Sequence, residues 1–468
     1  MKRIIVVGAG PAGMQAALRA AELGAQVELV TSGGFGGMAA DDGPIPVRAL
    51  AHAARLIRDA KQLGKYGIIT GEPVLDYQRL LIRVREIIEE TRAQVSRRSN
   101  FDLLGVKLCE FAGKAFFKDP YTIGTESGLN LQADAIILCV GGISRRLPVP
   151  GFELTCTHSD AWSLATVPPS MLVVGGGDTG AQVASVFSAF GTRVQLLQSG
   201  PRILASADED VSIEVANAFR ASGIEVTENF GSIDSFGKTA TGIRMNYSKD
   251  GIKGQAEAAL AVMAVGWIAN TSGLNLAAAG VELNERGFVK VDDFNRTSSP
   301  HIFAAGDITG RLMLVPQALQ EGFVAATNAV GDGTMQLGGV VNPVGSFTDP
   351  EYAQVGLSET DARKSHDVLA TVVRFESMAR PIIDGHEKGF CKLIIDRQSQ
   401  RILGCHIVGE RAVDIIQLVA VAITANMSLE DFLRIPISFP IYANILTRAV
   451  AVSLRELKSA DQSAHALK

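Results

Sequence analysis

Ile4-Ile5-Val6-Val7-Gly8-Ala9-Gly10-Pro11-Ala12-Gly13 is the stretch on which the reading of this chain turns. Four β-branched apolar residues predict a buried strand, and three glycines follow at the spacing G-x-G-x-x-G. Gly8 permits a tight turn, Gly10 lets backbone approach a pyrophosphate, and Gly13 lets a helix pack closely on the strand. Met14 to Leu23 carries an Ala-rich helical pattern closed by Gly24, and Val27 to Val30 predicts the next strand. The motif therefore stands in the strand-turn-helix context that gives it meaning, with the N–H groups and dipole of a helix N-terminus facing the turn.

The same plan returns at Met171 to Val174, followed by Gly175, Gly177 and Gly180, a helix over Ala181 to Phe190 and a strand over Val194 to Leu197. One glycine loop is weak evidence, but two in βαβ context predict two dinucleotide sites in one α/β chain. A third landmark is Ile302-Phe303-Ala304-Ala305-Gly306-Asp307, a strand ending in an acid that can accept hydrogen bonds from ribose or ribityl hydroxyls.

Composition agrees with a large globular protein. The chain has 468 residues, 47% of them hydrophobic, and its 44 basic and 49 acidic side chains give a net charge of −5 without blocks of like sign. That pattern excludes a nucleic-acid footprint. Cys109, Cys139, Cys156, Cys391 and Cys405 show no C-x-x-C spacing, so neither a metal site nor a disulfide framework is expected. The glycine motif begins too early to leave room for a signal peptide, and no apolar run approaches bilayer length. A cytoplasmic protein without a membrane span is expected.

Residues 36 to 50, Gly-Gly-Met-Ala-Ala-Asp-Asp-Gly-Pro-Ile-Pro-Val-Arg-Ala-Leu, resemble the redox-helix segment Gly-Gly-Thr-Cys-Val-Asn-x-Gly-Cys-x-Pro-Ser-Lys. That segment belongs to the pyridine nucleotide-disulfide oxidoreductases, whose members include dihydrolipoamide dehydrogenase, glutathione reductase and mercuric reductase. Further segments resemble the same family. Ile137 to Gly142 corresponds to its strand ending in Ala-Thr-Gly, Arg146 to Gly151 to a connector, and Val265 to Thr271 to its Gly-Arg-x-Pro-Asn, with Trp267 and Ala269 departing. Phe347 to Leu357 resembles the opening of its dimerisation domain.

The resemblance implies an α/β fold with two Rossmann-like domains, for FAD and NAD(P), and a C-terminal α+β dimerisation domain. Its expected boundaries are 1–150 and 268–339 for the FAD domain, 151–267 for the NAD(P) domain and 340–468 for the last. The resemblance also carries over cofactor contacts at Gly37, Ala115, Gly141, Asp307, Val315 and Gly266, and it implies a homodimer. Within this frame Phe111 to Phe117 and Leu129 to Val140 are expected to form an antiparallel meander. Phe390 to Asp396 and Ile402 to Gly409 are expected as strands, Asp414 to Ala425 as a helix, and the tail from Lys458 as frayed.

Four departures from the family pattern point the same way. Ala39 and Pro44 stand at the two cysteine positions. The partner-chain His-Pro-Thr-x-x-Glu is here Phe439-Pro440-Ile441-Tyr442-Ala443-Asn444, so the acid–base catalyst that serves the thiols is missing as well. The flavin-proximal Lys-Glu pair becomes Arg48 and Gln182, which leaves Arg48 as the candidate catalytic cation beside the ring. The ribose-binding acids fall at Thr31 and Gln198; a neutral Gln198, with Arg202 four residues on, leans the second site toward NADPH. Tyr442 and Asn444 are candidates to line the acceptor pocket, against a space-filling role. His52 is a weaker candidate, and His386 reads as a loop residue.

The expectation is an FAD-dependent NAD(P)H oxidoreductase that passes electrons to a quinone-like acceptor without a dithiol relay. Two alternatives stay open: an electron-transfer flavoprotein serving a protein or iron–sulfur partner, and a non-catalytic nucleotide-binding sensor or structural subunit.

Overall fold

The computed structural model describes residues 1–98, 101–339 and 341–466. Its chain divides into two compact units, one comprising Met1–Leu50, Gln78–Arg146 and Val265–Val340, the other Ala51–Tyr77, Leu147–Ala264 and Val341–Lys468.

The first unit is built on a five-stranded parallel sheet in the order Ile302–Ala304, Ala135–Leu138, Arg3–Val7, Gln26–Val30, Lys107–Cys109. Ile4, Ile5, Val6 and Val7 are all buried, as a strand covered on both faces requires. Helices Pro11–Glu22 and Val315–Val330 pack closely on one another. A Cβ on Gly322 would lie 2.3 Å from the Ala12 carbonyl oxygen, so only glycine admits this approach.

The expected meander is corrected here. Three short antiparallel strands, Ala115–Asp119, Thr122–Thr125 and Asn130–Gln132, make it, while Ala135–Leu138 belongs to the parallel sheet. Ile136, Ile137 and Leu138 are buried on both faces, which a surface meander cannot offer, and the chain changes sheets at Asp134, whose carboxylate accepts the Arg3 N–H at 2.8 Å.

The second unit holds another parallel sheet, ordered Glu225–Glu228, Arg193–Gln198, Ser170–Val174, Leu260–Met263, Cys156–Thr157. Helices Asp178–Ala189 and Glu209–Ala221 accompany it. Its C-terminal part is a five-stranded antiparallel sheet, Val344–Ser346, Tyr352–Gly356, Arg401–Val408, Phe390–Asp396, Val368–Arg374. Helices Ala412–Thr424 and Asn444–Ala466 contribute Ile415, Ile416, Val419, Ile445 and Val450 to the core they share with Leu393 and Ile407. The last helix runs past Lys458 to Ala466, where fraying was expected; no Gly or Pro interrupts that stretch. Among the described residues no helix is long and apolar enough to cross a membrane.

Candidate functional site: two nucleotide cradles

The first cradle is shaped by steric exclusion. Gly8 has φ +108°, and a Cβ there would lie 2.2 Å from the Cys139 carbonyl oxygen; one on Gly13 would lie 1.8 Å from the Gly8 carbonyl oxygen. Gly10, in contrast, has open space on its Cβ side and caps the helix Pro11–Glu22 without any side-chain bond. Pro11 has no N–H, and its fixed φ suits the first helical position. The result is a bare helix N-terminus open to a phosphate.

Gly37 (φ +51°) belongs to the same place. A Cβ on it would sit 3.0 Å from Gly10 Cα, and Gly36 donates its N–H to the Ala9 carbonyl. Thr31 lies at the end of its strand, with its backbone bonded to Cys109 and Ala112. Ala115 opens the meander and Val315 opens the helix Val315–Val330. Gly141 has φ +75°, and the Cβ direction of its neighbour Gly142 points to Asp307 Cβ at 3.5 Å. Gly266 (φ +103°) accepts the Arg145 N–H at 2.9 Å. Arg48 is exposed on the helix Pro44–Ala60.

Glu321 is a site residue that sequence reasoning missed. Fully buried, it accepts hydrogen bonds from the Gly306 N–H (2.7 Å), the Thr309 hydroxyl (3.2 Å) and the Gln317 amide (2.8 Å), with Arg311 at 3.9 Å. It thereby holds the Gly306–Asp307 turn in place. The signal was an acid four residues after Gln317 on a helix face otherwise given to Ala318, Gly322 and Ala325. Burial, and then repulsion from Glu321, pushes the Asp307 carboxyl up to about 6. Burial also raises Glu321, against the bonds that favour its charge.

Ala39 lies in the short helix Gly37–Asp41 and Pro44 is the first residue of Pro44–Ala60. The break between them falls at Gly43, where a Cβ would meet the Met38 carbonyl oxygen at 2.7 Å. The five cysteines are unpaired: Cys139, Cys391 and Cys405 are buried, Cys109 and Cys156 half-buried. Burial raises the Cys139 thiol and pushes Cys156 up to about 12. Among the described residues no group of three or more His, Cys, Asp or Glu could hold a metal ion.

The second cradle repeats the first. Gly175 has φ +104°, a Cβ on Gly180 would lie 1.8 Å from the Gly175 carbonyl oxygen, and Gly177 is open. Gln198 Oε1 accepts the Gly176 N–H at 2.8 Å, so this side chain braces the glycine loop. Arg202 donates to the carbonyls of Ala205 (3.3 Å) and Ala207 (3.2 Å), folding onto its own loop. Gln182 donates to the Asp178 carbonyl (3.2 Å) and accepts the Phe347 N–H (3.4 Å), which ties the cradle helix to the segment that follows the strand Val344–Ser346.

The C-terminal candidates are engaged within their own domain. Tyr442 is buried and its hydroxyl donates to Asp384 at 3.1 Å; burial and that carboxylate raise its phenol. Asn444 accepts the Ile441 N–H and donates to the Ser438 carbonyl, closing the turn that carries Phe439. Both side chains make these bonds within their own domain. Phe439 itself is 78% exposed. His386 lies 3.5 Å from Asp59, and His52 is exposed.

Comparison with known proteins places this geometry. Residues 2–322 match the family model for pyridine nucleotide-disulphide oxidoreductases, and residues 342–450 match the dimerisation domain of the same family. A dihydrolipoyl dehydrogenase of Geobacillus stearothermophilus is 31% identical over 461 residues, covering 96% of each chain. A mercuric reductase of Lysinibacillus sphaericus is 29% identical over 437 residues, 92% of this chain and 78% of that protein. Among solved structures, LpdA of Mycobacterium tuberculosis superposes with a TM-score of 0.87 at 25% identity, covering 96% of this chain and 99% of that one. The HOCl-induced flavoprotein disulfide reductase RclA of Escherichia coli shares the fold, with a TM-score of 0.86 at 22% identity over the same shares. The chain belongs to the pyridine nucleotide-disulphide oxidoreductase family.

Proposed function

We infer that this member of the family is an FAD-dependent NAD(P)H oxidoreductase whose electrons leave from the flavin directly, to a quinone or similar acceptor, with no dithiol relay. The observation that carries the reading is the redox-helix segment: residues 37 to 60 contain no cysteine, and Ala39 and Pro44 stand where the family has its pair. A thiolate is the nucleophile in disulfide exchange, and neither replacement can form one. Phe439, in place of the family's histidine, has no proton to take up or release.

On this reading 1–150 and 268–339 bind FAD, 151–267 bind the pyridine nucleotide, and 340–468 make a homodimer. The first cradle fits FAD: Gly8 and Gly13 admit no side chain and Gly10 leaves the helix N-terminus open. Bound there, FAD supplies acceptance of a hydride from a nicotinamide and its onward delivery. Gly10 and Gly37 present backbone to the pyrophosphate, Asp307 accepts from hydroxyls, and Arg48 places a positive charge beside the ring. The neutral Gln198 supports NADPH over NADH, although Arg202, bonded to its own loop, adds less than its position implied. The absence of a ribose acid at both Thr31 and Gln198 favours, as a second reading, a nucleotide-binding protein without turnover.

A visible spectrum of the purified protein, followed by anaerobic NADH and NADPH, tests both. The oxidoreductase reading expects a flavin spectrum bleached by a nicotinamide, turnover with benzoquinones, and none with lipoamide, glutathione disulfide or mercuric ion. Lipoamide turnover inhibited by arsenite would sink it. A flavin that neither nucleotide reduces would favour the second reading.

A further inference from the structure

The two cradles have nearly the same backbone and differ in charge at one position. Gly10 caps its helix at φ −74°, ψ −177°, and Gly177 at φ −78°, ψ −173°. The first helix begins with Pro11 and has no acid in its first turn; the second begins with Asp178. A carboxylate there satisfies the positive end of the helix, which is the feature that otherwise draws a phosphate. Asp178 is held by Tyr352, a buried residue 174 positions away in the C-terminal sheet, whose hydroxyl donates to Asp178 Oδ1 at 2.5 Å. Burial, and then the Asp178 charge, raises the Tyr352 phenol well above its ordinary value, so it remains a donor.

We propose that Asp178 is a built-in competitor for the pyrophosphate of the pyridine nucleotide, and that Tyr352 sets how strongly it competes by holding the carboxylate toward the C-terminal sheet. The proposal rests on the reading that the second cradle binds NAD(P)H. It gives the cradles different tasks from one backbone: the first, without an acid, retains its nucleotide, while the second binds weakly enough to exchange it. Asp178 is here an affinity-determining residue, and Tyr352 a positioning residue that acts through it. Three bonds from one face of this helix, Asp178 to Tyr352 in the C-terminal sheet and Gln182 and Ser185 to Phe347 and Asp349 in the connection leading to that strand, hold the geometry on which the competition depends.

The test is calorimetric titration of the FAD-loaded protein with NAD+ and with NADP+, which reads binding without turnover. Asp178→Asn keeps the side chain's shape and removes its charge, and is expected to tighten binding about fivefold. Tyr352→Phe frees the carboxylate and is expected to weaken binding several-fold. The double variant should bind like Asp178→Asn alone, because Tyr352 acts only through that charge. Unchanged or weaker binding in Asp178→Asn overturns the proposal, as does a double variant that stays as weak as Tyr352→Phe. If no variant and no parent binds either nucleotide while the FAD spectrum is intact, the reading of the second cradle itself has failed, and the proposal with it.

Discussion

Lys392 and Asp208, 184 residues apart, meet at 2.9 Å in the second unit, both almost completely buried. Lys392 also reaches Asp210 at 2.6 Å and Glu359 at 2.7 Å. Asp208 caps the helix Glu209–Ala221, so one ammonium on the C-terminal sheet holds the start of a helix in the nucleotide-binding fold. Removing one partner of a buried charge cluster costs more than the cluster contributes, because the remaining charges lose their compensation. Lys392→Met is expected to destabilise this unit by about 3–5 kcal/mol, read as a lower urea midpoint. Burial alone would raise Asp208 and Glu359, but the bonds from Lys392 outweigh it and hold both carboxyls low. Their contribution is thus present at neutral pH and is lost as pH falls below about 4. A variant as stable as the parent near neutral pH would exclude this role.

Asp307 behaves in the opposite sense. Its folded-state carboxyl titrates at about 6, above the ordinary 3.8, so in the cofactor-free protein the penalty of ionising it grows as pH rises through 6. Asp307→Asn should stabilise the FAD-stripped protein by about 2 kcal/mol near pH 8, allowing for residual exposure, and by much less near pH 4.5. The same change should weaken FAD retention by removing an acceptor. Urea unfolding at the two pH values decides the first part; an equal gain at both would mean the carboxyl is not raised.

Gln198→Glu tests the choice of nucleotide. A carboxylate can keep the 2.8 Å bond from the Gly176 N–H while adding an acceptor for ribose hydroxyls and repelling a 2′-phosphate. Preference should move toward NADH by about 1–2 kcal/mol, measured as the ratio of kcat/KM for the two nucleotides. An unchanged ratio would remove Gln198 from the site.

Arg48→Met tests the remaining cation. A fixed positive charge beside the ring favours the cofactor state that carries negative charge, so its removal should lower the flavin midpoint potential and slow reduction by NAD(P)H. FAD content and dimer should be unchanged. A potential and a stopped-flow reduction rate equal to the parent's would make Arg48 a surface residue.

The local grammar of this chain was legible because it is set by steric rules within a few residues. Gly8, Gly13 and Gly180 sit where backbone oxygens leave no room for a Cβ, Gly175 takes the positive φ of its counterpart Gly8, and the apolar runs at Ile4 to Val7 and Met171 to Val174 are strands covered on both faces. The absence of cysteine between residues 37 and 60 is likewise a fact of sequence alone. The partners of charged and polar side chains were not legible, because they depend on which distant segments the packing brings together. The place of Glu321 under the Gly306–Asp307 turn is set by burial and by its bond from the Gly306 N–H. The sequence does not show that Tyr442 bonds to Asp384, or that Asn444 closes the turn from Ser438 to Ile441. Asp178 with Tyr352, and Lys392 with Asp208, join residues more than 170 positions apart, and no period or spacing in a chain encodes such a pairing. Tertiary structure decides it, since a buried polar group must find its partner wherever the fold supplies one.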